Sequence, residues 1–531
     1  MKFSMKPAAV IAVLSLAAIA IQTPAQAKPW VTAYYTSQTF PTLPVANVDM
    51  HSITHLTLFS LTPNADGTLY DKGGDTAAGG SAATSVNANA AAFVSAVHQA
   101  GNGKCALICI GGGGTATNFE SAISPAHQAA FVTNIKNWVV SHGFDGVDID
   151  MEPLMTSDKA LFQSFIQALR TSFGSQYLIT TAATCGSDAD PSIYAGVAEC
   201  FDQINVMTYD LAGNWPGWVS WYNSPLYTGG ATFPDGVTPL PSCDNQIARY
   251  IAAGISPSRL AIGAAFYGYN WQGVTGPNQN LANVPANYPQ AISYAQIMSQ
   301  YYAPSAAYWD SASYAPYLSL RNGSVQSPLA FISYDDPTLI ADKVKYVIAN
   351  HLGGLMCWQV LQQYIPTAPV GQQQQPLLGA IDGAMGTGST ITTTDNLSDF
   401  SEIVAKSLNW TIDTTNSAYY QGDAGRATRT VNDAEFLDYS YPNISEFSAK
   451  VYTWYAATTS VTFWYSKDNG ATYTQAATTT NAKTITTSPW GYSTIKNTGI
   501  LPVGVTSLRV QIAATSQNWD PQIASISITH Q

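Results

Sequence analysis

Short apolar runs recur along the chain, separated by stretches of helical spacing. They are Val31–Tyr35, His55–Ser60, Cys105–Gly111, Asp145–Glu152, Leu178–Ala183, Gln203–Tyr209, Leu260–Phe266 and Gly353–Trp358. Runs of this length, bounded by turn residues, suit buried strands. Between them, apolar positions recur every three to four residues and predict helices such as Asn87–Ala100, His127–Ser141, Lys159–Phe173 and Ile340–Asn350. Strand and helix alternate through eight rounds. This predicts an α/β fold, a (β/α)8 TIM barrel, with a doubly wound open sheet as the alternative. Polar residues at the ends of several runs favour the barrel, whose C-terminal rim carries such residues.

The pattern departs from this alternation twice. From about Gly273 to Ala330 the chain is long for a strand-to-helix connection and reads as an insertion. Gln372–Met385 reads as a last helix, and Gly386–Asn396 (GTGSTITTTDN) is small, polar and aperiodic, as in a linker. From Leu397 to Gln531, runs such as SVTFWYS, TSLRVQIA and IASISI alternate in polarity and are separated by turn signals like Asp468-Asn469-Gly470. That pattern predicts an all-β sandwich of jelly-roll or related type. The expected organisation is a leader at 1–27, a barrel at 28–385 with its insertion at about 273–330, a linker at 386–396 and a sandwich at 397–531.

The leader rests on Lys2 and Lys6, the apolar run Ala8–Ile21 and the small-x-small site Ala25-Gln26-Ala27. This is the form of a secretory signal peptide, too short for a membrane anchor. The expected location is therefore outside the cell, with no membrane association. Formal net charge is −12, and removal of Lys2 and Lys6 makes it about −14. An acidic chain without basic clusters argues against nucleic acid as a partner. Aromatic residues make up 11% and charged residues 10%, a balance suited to neutral polymers. Export permits disulfides, and Cys185–Cys200 is a plausible local pair among the six cysteines, which allow 15 full connectivities. No CxxC or HExxH spacing occurs, so neither a metal nor another cofactor is expected.

The stretch Phe144–Pro153 reads FDGVDIDMEP. A strand points alternate side chains to opposite faces, so Asp148, Asp150 and Glu152 share one face and Val147, Ile149 and Met151 the other. Same-face neighbours are about 6.7 Å apart along a strand, and carboxyl groups that close raise one another's proton affinity. A general acid working near neutral pH needs that environment. A solvated acidic strand is the bland alternative. A Ca²⁺ loop would need a tight turn with glycine at a set position.

DGVDIDME resembles the DxxDxDxE signature of family 18 glycoside hydrolases, the chitinase family. Other stretches agree: CIGG at Cys109–Gly112 is a variant of the family's SxGG, INVMTYD at Ile204–Asp210 resembles its MxYD element, and LAGNWPGWVSWYNSPLY at Leu211–Tyr227 resembles its YDxxGxW…PLY loop. YWDSASYAPYL, followed by FISYDD at Phe331–Asp336, looks like the small α+β insertion of one chitinase subgroup. The resemblance implies that Glu152 is the acid and base, that Asp150 holds the substrate's acetamido group, and that Asp148 shares a proton with Asp150. It implies further that Tyr209 orients the acetamido carbonyl. Met207, Asp210, Trp215 and Trp358 would line the cleft, with Trp358 as its floor. Tyr34, in the first run, and Gly112, in the glycine loop, complete the candidate substrate contacts. Asp145 is read as structural. The family usually has arginine where Tyr269 stands and serine where Cys109 stands. The implied activity is retaining, substrate-assisted hydrolysis of chitin or chito-oligosaccharides by a monomer. An endo-β-N-acetylglucosaminidase on N-glycans and a non-catalytic chitin-binding lectin are the alternatives. Candidate exposed aromatics of the sandwich, Trp454, Trp464, Trp490, Tyr492 and Trp519, read as those of a carbohydrate-binding module.

Overall fold

The computed structural model describes residues 28–530 apart from 102, 188, 322–328, 369–373, 386–390, 424, 455–459, 487–489, 500 and 503–504. The expected signal peptide lies outside the described residues. Each apolar run becomes a strand: β1 Trp30–Thr36, β2 His55–Pro63, β3 Cys105–Gly112, β4 Gly146–Met151, β5 Leu178–Ala183, β6 Gln203–Val206, β7 Leu260–Ala265 and β8 Gly354–Trp358. They pair in parallel in chain order, and β1 pairs with both β2 and β8, which closes the barrel. Helices over Val86–Gln99, Gln128–His142, Lys159–Phe173, Cys243–Ala252 and Pro337–Ala349 cover its outside. Most of the core lies between strands and helices and takes Val147, Ile149 and Met151 from β4. A smaller cluster fills the barrel interior with Tyr34, Cys109, Tyr209, Tyr267 and Met356. The alternation along β4 therefore separates two compartments, apolar outside and acidic inside.

The sixth strand ends earlier than its apolar run suggests. β6 stops at Val206, and Met207–Asp210 turns tightly, with Thr208 N donating to Val206 O at 2.8 Å and Tyr209 N to Met207 O at 2.7 Å. The insertion is also wider than expected. Its antiparallel sheet starts at Tyr267–Gln272, directly after β7, and returns through Ala330–Tyr334; Gln290–Ser293, Ala307–Asp310 and Ala315–Leu320 complete it. It is fixed by a buried ion pair. Lys343 Nζ, with its side chain fully buried, donates to Asp335 Oδ2 at 2.6 Å, Ser224 Oγ at 2.5 Å and Gly263 O at 3.0 Å. Asp335 Oδ2 also accepts from Ala265 N at 3.1 Å. These bonds join the end of the insertion to β7 and to the helix Pro337–Ala349.

The C-terminal part is two antiparallel sheets whose facing sides share one core, with Phe447 stacked on Phe463 at 4.5 Å. Half of the expected linker belongs to it: Ile391–Asp395 pairs with Gln522–His530, and Leu397 is fully buried. Residues 386–390 of that linker lie outside the described residues. The expected Cys185–Cys200 pair is absent; both are free thiols, as are the other four cysteines.

Removing one partner of a buried pair leaves the other uncompensated. Lys343→Met should lower stability by about 3–5 kcal/mol. Lys343→Met combined with Asp335→Asn should lose distinctly less, both read by calorimetric unfolding.

Candidate active site

The C-terminal ends of all eight strands converge on one cavity of about 400 Å³. Its lining is Tyr34 from β1, Phe59 from β2, Gly113 after β3, Asp150 and Glu152 at the end of β4, Ala182, Thr184 and Cys185 around the end of β5, Met207, Tyr209 and Asp210 after β6, Tyr267 after β7 and Trp358 from β8. The structure thus brings together Glu152, Asp150, Tyr209, Met207, Asp210, Trp358 and Tyr34 from the residues expected on sequence.

Asp148 is fully buried beneath this cavity rather than in its lining. Tyr34 Oη donates to its Oδ2 at 2.7 Å and Thr180 Oγ1 to its Oδ1 at 2.5 Å. Burial raises the proton affinity of Asp148, and these donors oppose that rise. Asp150 has no such support. Burial first, then the charges of Glu152 and Asp148, push it well above the usual carboxylate range. Its hydrogen bond is to Glu152. Its Oδ1 is buried and without a hydrogen-bond partner. Glu152 is raised mainly by burial and partly by the charge of Asp210, while the bond from Asp150 pulls it back. All three acids thus hold protons more tightly than free carboxyls, with Asp150 raised furthest and hydrogen-bonded to Glu152 above Asp148.

The remaining walls are aromatic. Trp358 meets Phe59 edge to face at 4.8 Å and Tyr34 at 5.4 Å. Among the described residues, the only acceptor for Tyr209 Oη is the thioether of Met356, at 3.6 Å, a weak partner for a hydroxyl. Gly112 does not line the cavity. A Cβ there would stand 2.5 Å from Phe59 Cζ, and at Gly111 2.0 Å from Asp150 O, and both φ angles are positive (+112° and +118°). The glycine loop lets β3 approach Phe59 and β4 closely. Asp145 is structural as expected, accepting from Ala106 N at 2.7 Å and His98 Nε2 at 2.8 Å.

A family model, "Glycosyl hydrolases family 18", matches residues 31–363. The chain belongs to glycoside hydrolase family 18. Curated relatives include "Probable endochitinase" of Caenorhabditis elegans, 29% identical over 46% of this chain and 41% of that protein, and "Chitinase 1" of Aphanocladium album, 28% identical over 59% and 76%. The chain spans between four- and six-tenths of the length of several of the curated relatives it matches. Among solved structures, the group IV chitinase of Ostrinia furnacalis shares the fold with a TM-score of 0.56 at 22% identity, covering 67% of this chain and 100% of that one.

Two positions expected on sequence to differ from the family pattern, Tyr269 and Cys109, both contact acids. Tyr269 donates its hydroxyl to Asp210 Oδ1 at 2.6 Å, beside a second such bond from Tyr267 at 2.5 Å. Cys109 is fully buried in register with Asp148 and hydrogen-bonds to it. Trp215 is outside the cavity lining, about half exposed, and edge-on to Trp218 at 4.6 Å. Phe59, Thr180 and Tyr267 were not singled out on sequence, and Cys185 was read there only as a disulfide candidate. No local motif marks them, and only closure of the barrel brings them to the acids.

Asp150 gives a linkage prediction. Its folded-state proton affinity is raised, so its contribution to stability is present below the ordinary value of about 3.9 and is lost as pH rises above it. Asp150→Asn should gain stability over the native protein, and the difference in Tm should widen between pH 4 and pH 7.

Proposed function

We propose that the protein is an exported chitinase that cleaves β-1,4-linked N-acetylglucosamine chains with retention. The observation that carries this is Asp150 in the cavity lining, with one carboxyl oxygen, Oδ1, that has no hydrogen-bond partner, and with a hydrogen bond to Glu152. Such an acceptor calls for an N–H donor, and a 2-acetamido sugar supplies one. When the amide N–H bonds to Asp150, its carboxylate form is favoured and its proton passes to Glu152. Glu152 then protonates the glycosidic oxygen. As the C1–O bond breaks, the acetamido oxygen attacks C1 and forms an oxazolinium ion, a route that needs no carboxylate nucleophile. Asp150 and Asp148 offset its positive charge, and Tyr209, weakly occupied by Met356, donates to the amide oxygen. Glu152 next takes a proton from water as it opens the ring at C1. Trp358 and Phe59 provide the apolar floor on which the sugar ring stacks.

The names of the relatives, chitinases and endochitinases, support the same substrate. No described helix is long and apolar enough to cross a membrane. The leader-like sequence at 1–27 supports export, and we take the working unit as a monomer. We assign carbohydrate binding to the sandwich. Trp519, 38% exposed, stands edge-on to Trp454 at 5.6 Å and to Trp490 at 5.8 Å. Trp490 itself is buried, and Trp464 lies on the other sheet, next to Arg509, so the Trp454–Trp519 corner with nearby Tyr492 is the candidate surface.

Glu152→Gln should keep its unfolding temperature within a few degrees and lose turnover of a chromogenic chitobioside by at least about 10²–10⁴-fold. Trp519→Ala should lower the ratio of activity on insoluble chitin to activity on soluble chito-oligosaccharides by a few-fold. An unchanged ratio would remove the binding role from this corner.

A further inference from the structure

The cavity contains acids and no basic residue. Asp150, Glu152 and Asp210 line it, and none of the lining residues is lysine, arginine or histidine. Asp210 is the exposed member. It is held firmly: its backbone is left-handed at φ 57°, its N–H donates to Asn223 Oδ1 at 3.0 Å, and its Oδ1 takes the hydroxyls of Tyr267 and Tyr269. Both tyrosines come from the first strand of the insertion. All donors on the carboxylate are neutral and all fall on one oxygen. Oδ2 accepts no hydrogen bond, and Asp210 forms no ion pair, among the described residues. Tyr269 supplies a hydroxyl and leaves the charge of Asp210 without a counter-ion among the described residues. The proposed function puts the amide of the reacting sugar at Asp150 in the same cavity, and Asp210, the exposed acid at its edge, is then open to the sugar next to it.

A neutral hydroxyl would satisfy Oδ2, but an ammonium would do so with a charge-assisted bond, roughly twice as strong, in a cavity whose field favours cations. We propose that the subsite beside Asp210 prefers a protonated 2-amino sugar. The substrate is then partially deacetylated chitin, with N-acetylglucosamine at the point of cleavage and glucosamine as its neighbour at Asp210. This rests on the proposed function, because it takes an amide-bearing sugar to react over Asp150.

The test is digestion of partially deacetylated chitin by the full chain, with the units on either side of each cut read by end-labelling and mass spectrometry. A fully acetylated hexamer is digested in parallel. The expected result is N-acetylglucosamine at every new reducing end and glucosamine enriched about five- to tenfold at one adjoining position. That enrichment should shrink with added salt. It should vanish in Asp210→Asn and in Tyr269→Arg, which pairs the carboxylate internally. Product composition is independent of overall rate, so slower variants remain informative, and the salt series on the native chain needs no variant. Neighbouring units in simple proportion to the polymer, with the hexamer cleaved, would overturn this inference alone. Enrichment unchanged in Asp210→Asn would overturn it too. A native chain that leaves the hexamer intact would overturn the proposed function itself.

Discussion

The structure depends on the burial of carboxyl groups along one face of a six-residue strand. Water would screen three such groups at an open surface; inside a closed barrel their repulsion is strong, and it has to be managed by protons and donors. The chain manages it in layers. Asp148, deepest, is given two hydroxyls, which oppose the rise that burial imposes on its proton affinity. Asp150, above it, has one buried oxygen without a donor, and its proton affinity is raised further. Glu152, at the mouth, is hydrogen-bonded to Asp150 and faces the cavity. The support from donors thus falls from the floor of the barrel toward its mouth.

The barrel supplies what this arrangement needs. Closure of β1 onto β8 sets Tyr34 against both Asp148 and Trp358, so one side chain serves the acid floor and the aromatic wall. The glycines at the end of β3 remove side chains where β3 must come close to the Asp150 backbone and to Phe59. Substituting either would strain the backbone and push the catalytic strand or the aromatic floor out of place. The acids are therefore held by the whole ring of strands and not by β4 alone.

Much of this was legible in the chain. Buried parallel strands read as continuous apolar runs, and all eight runs became barrel strands. Lys159–Phe173 was readable to its ends, since Gly174 stops it and its apolar face is strongly periodic. The sixth run was read too long, because Met207 and Tyr209 continue the alternation of a strand while the backbone turns after Val206. Period two reports side-chain polarity and is blind to a tight turn. Ile391–Asp395 looked like linker because it is rich in threonine, but threonine also suits strands, and its partner is the distant Gln522–His530. Trp215 carries a motif resemblance yet packs on Trp218 outside the cavity. Phe59 and Tyr267 had no motif at all; their roles come from contacts across the ring.

The insertion bears on catalysis more directly than a cleft wall would. Its first strand begins at Tyr267, immediately after β7, so its side chains enter the cavity before the chain leaves the barrel. Its last strand leads into Asp335, which the buried Lys343 ties back to Gly263 and Ala265 of β7. One end of the insertion is thus continuous with β7, and the other is held on the same strand by buried polar contacts. Through Tyr267 and Tyr269 this unit holds Asp210, and Asp210 in turn raises the proton affinity of Glu152. The insertion is therefore more than a wall of the cleft: by holding Asp210 it takes part in the electrostatic frame around Glu152.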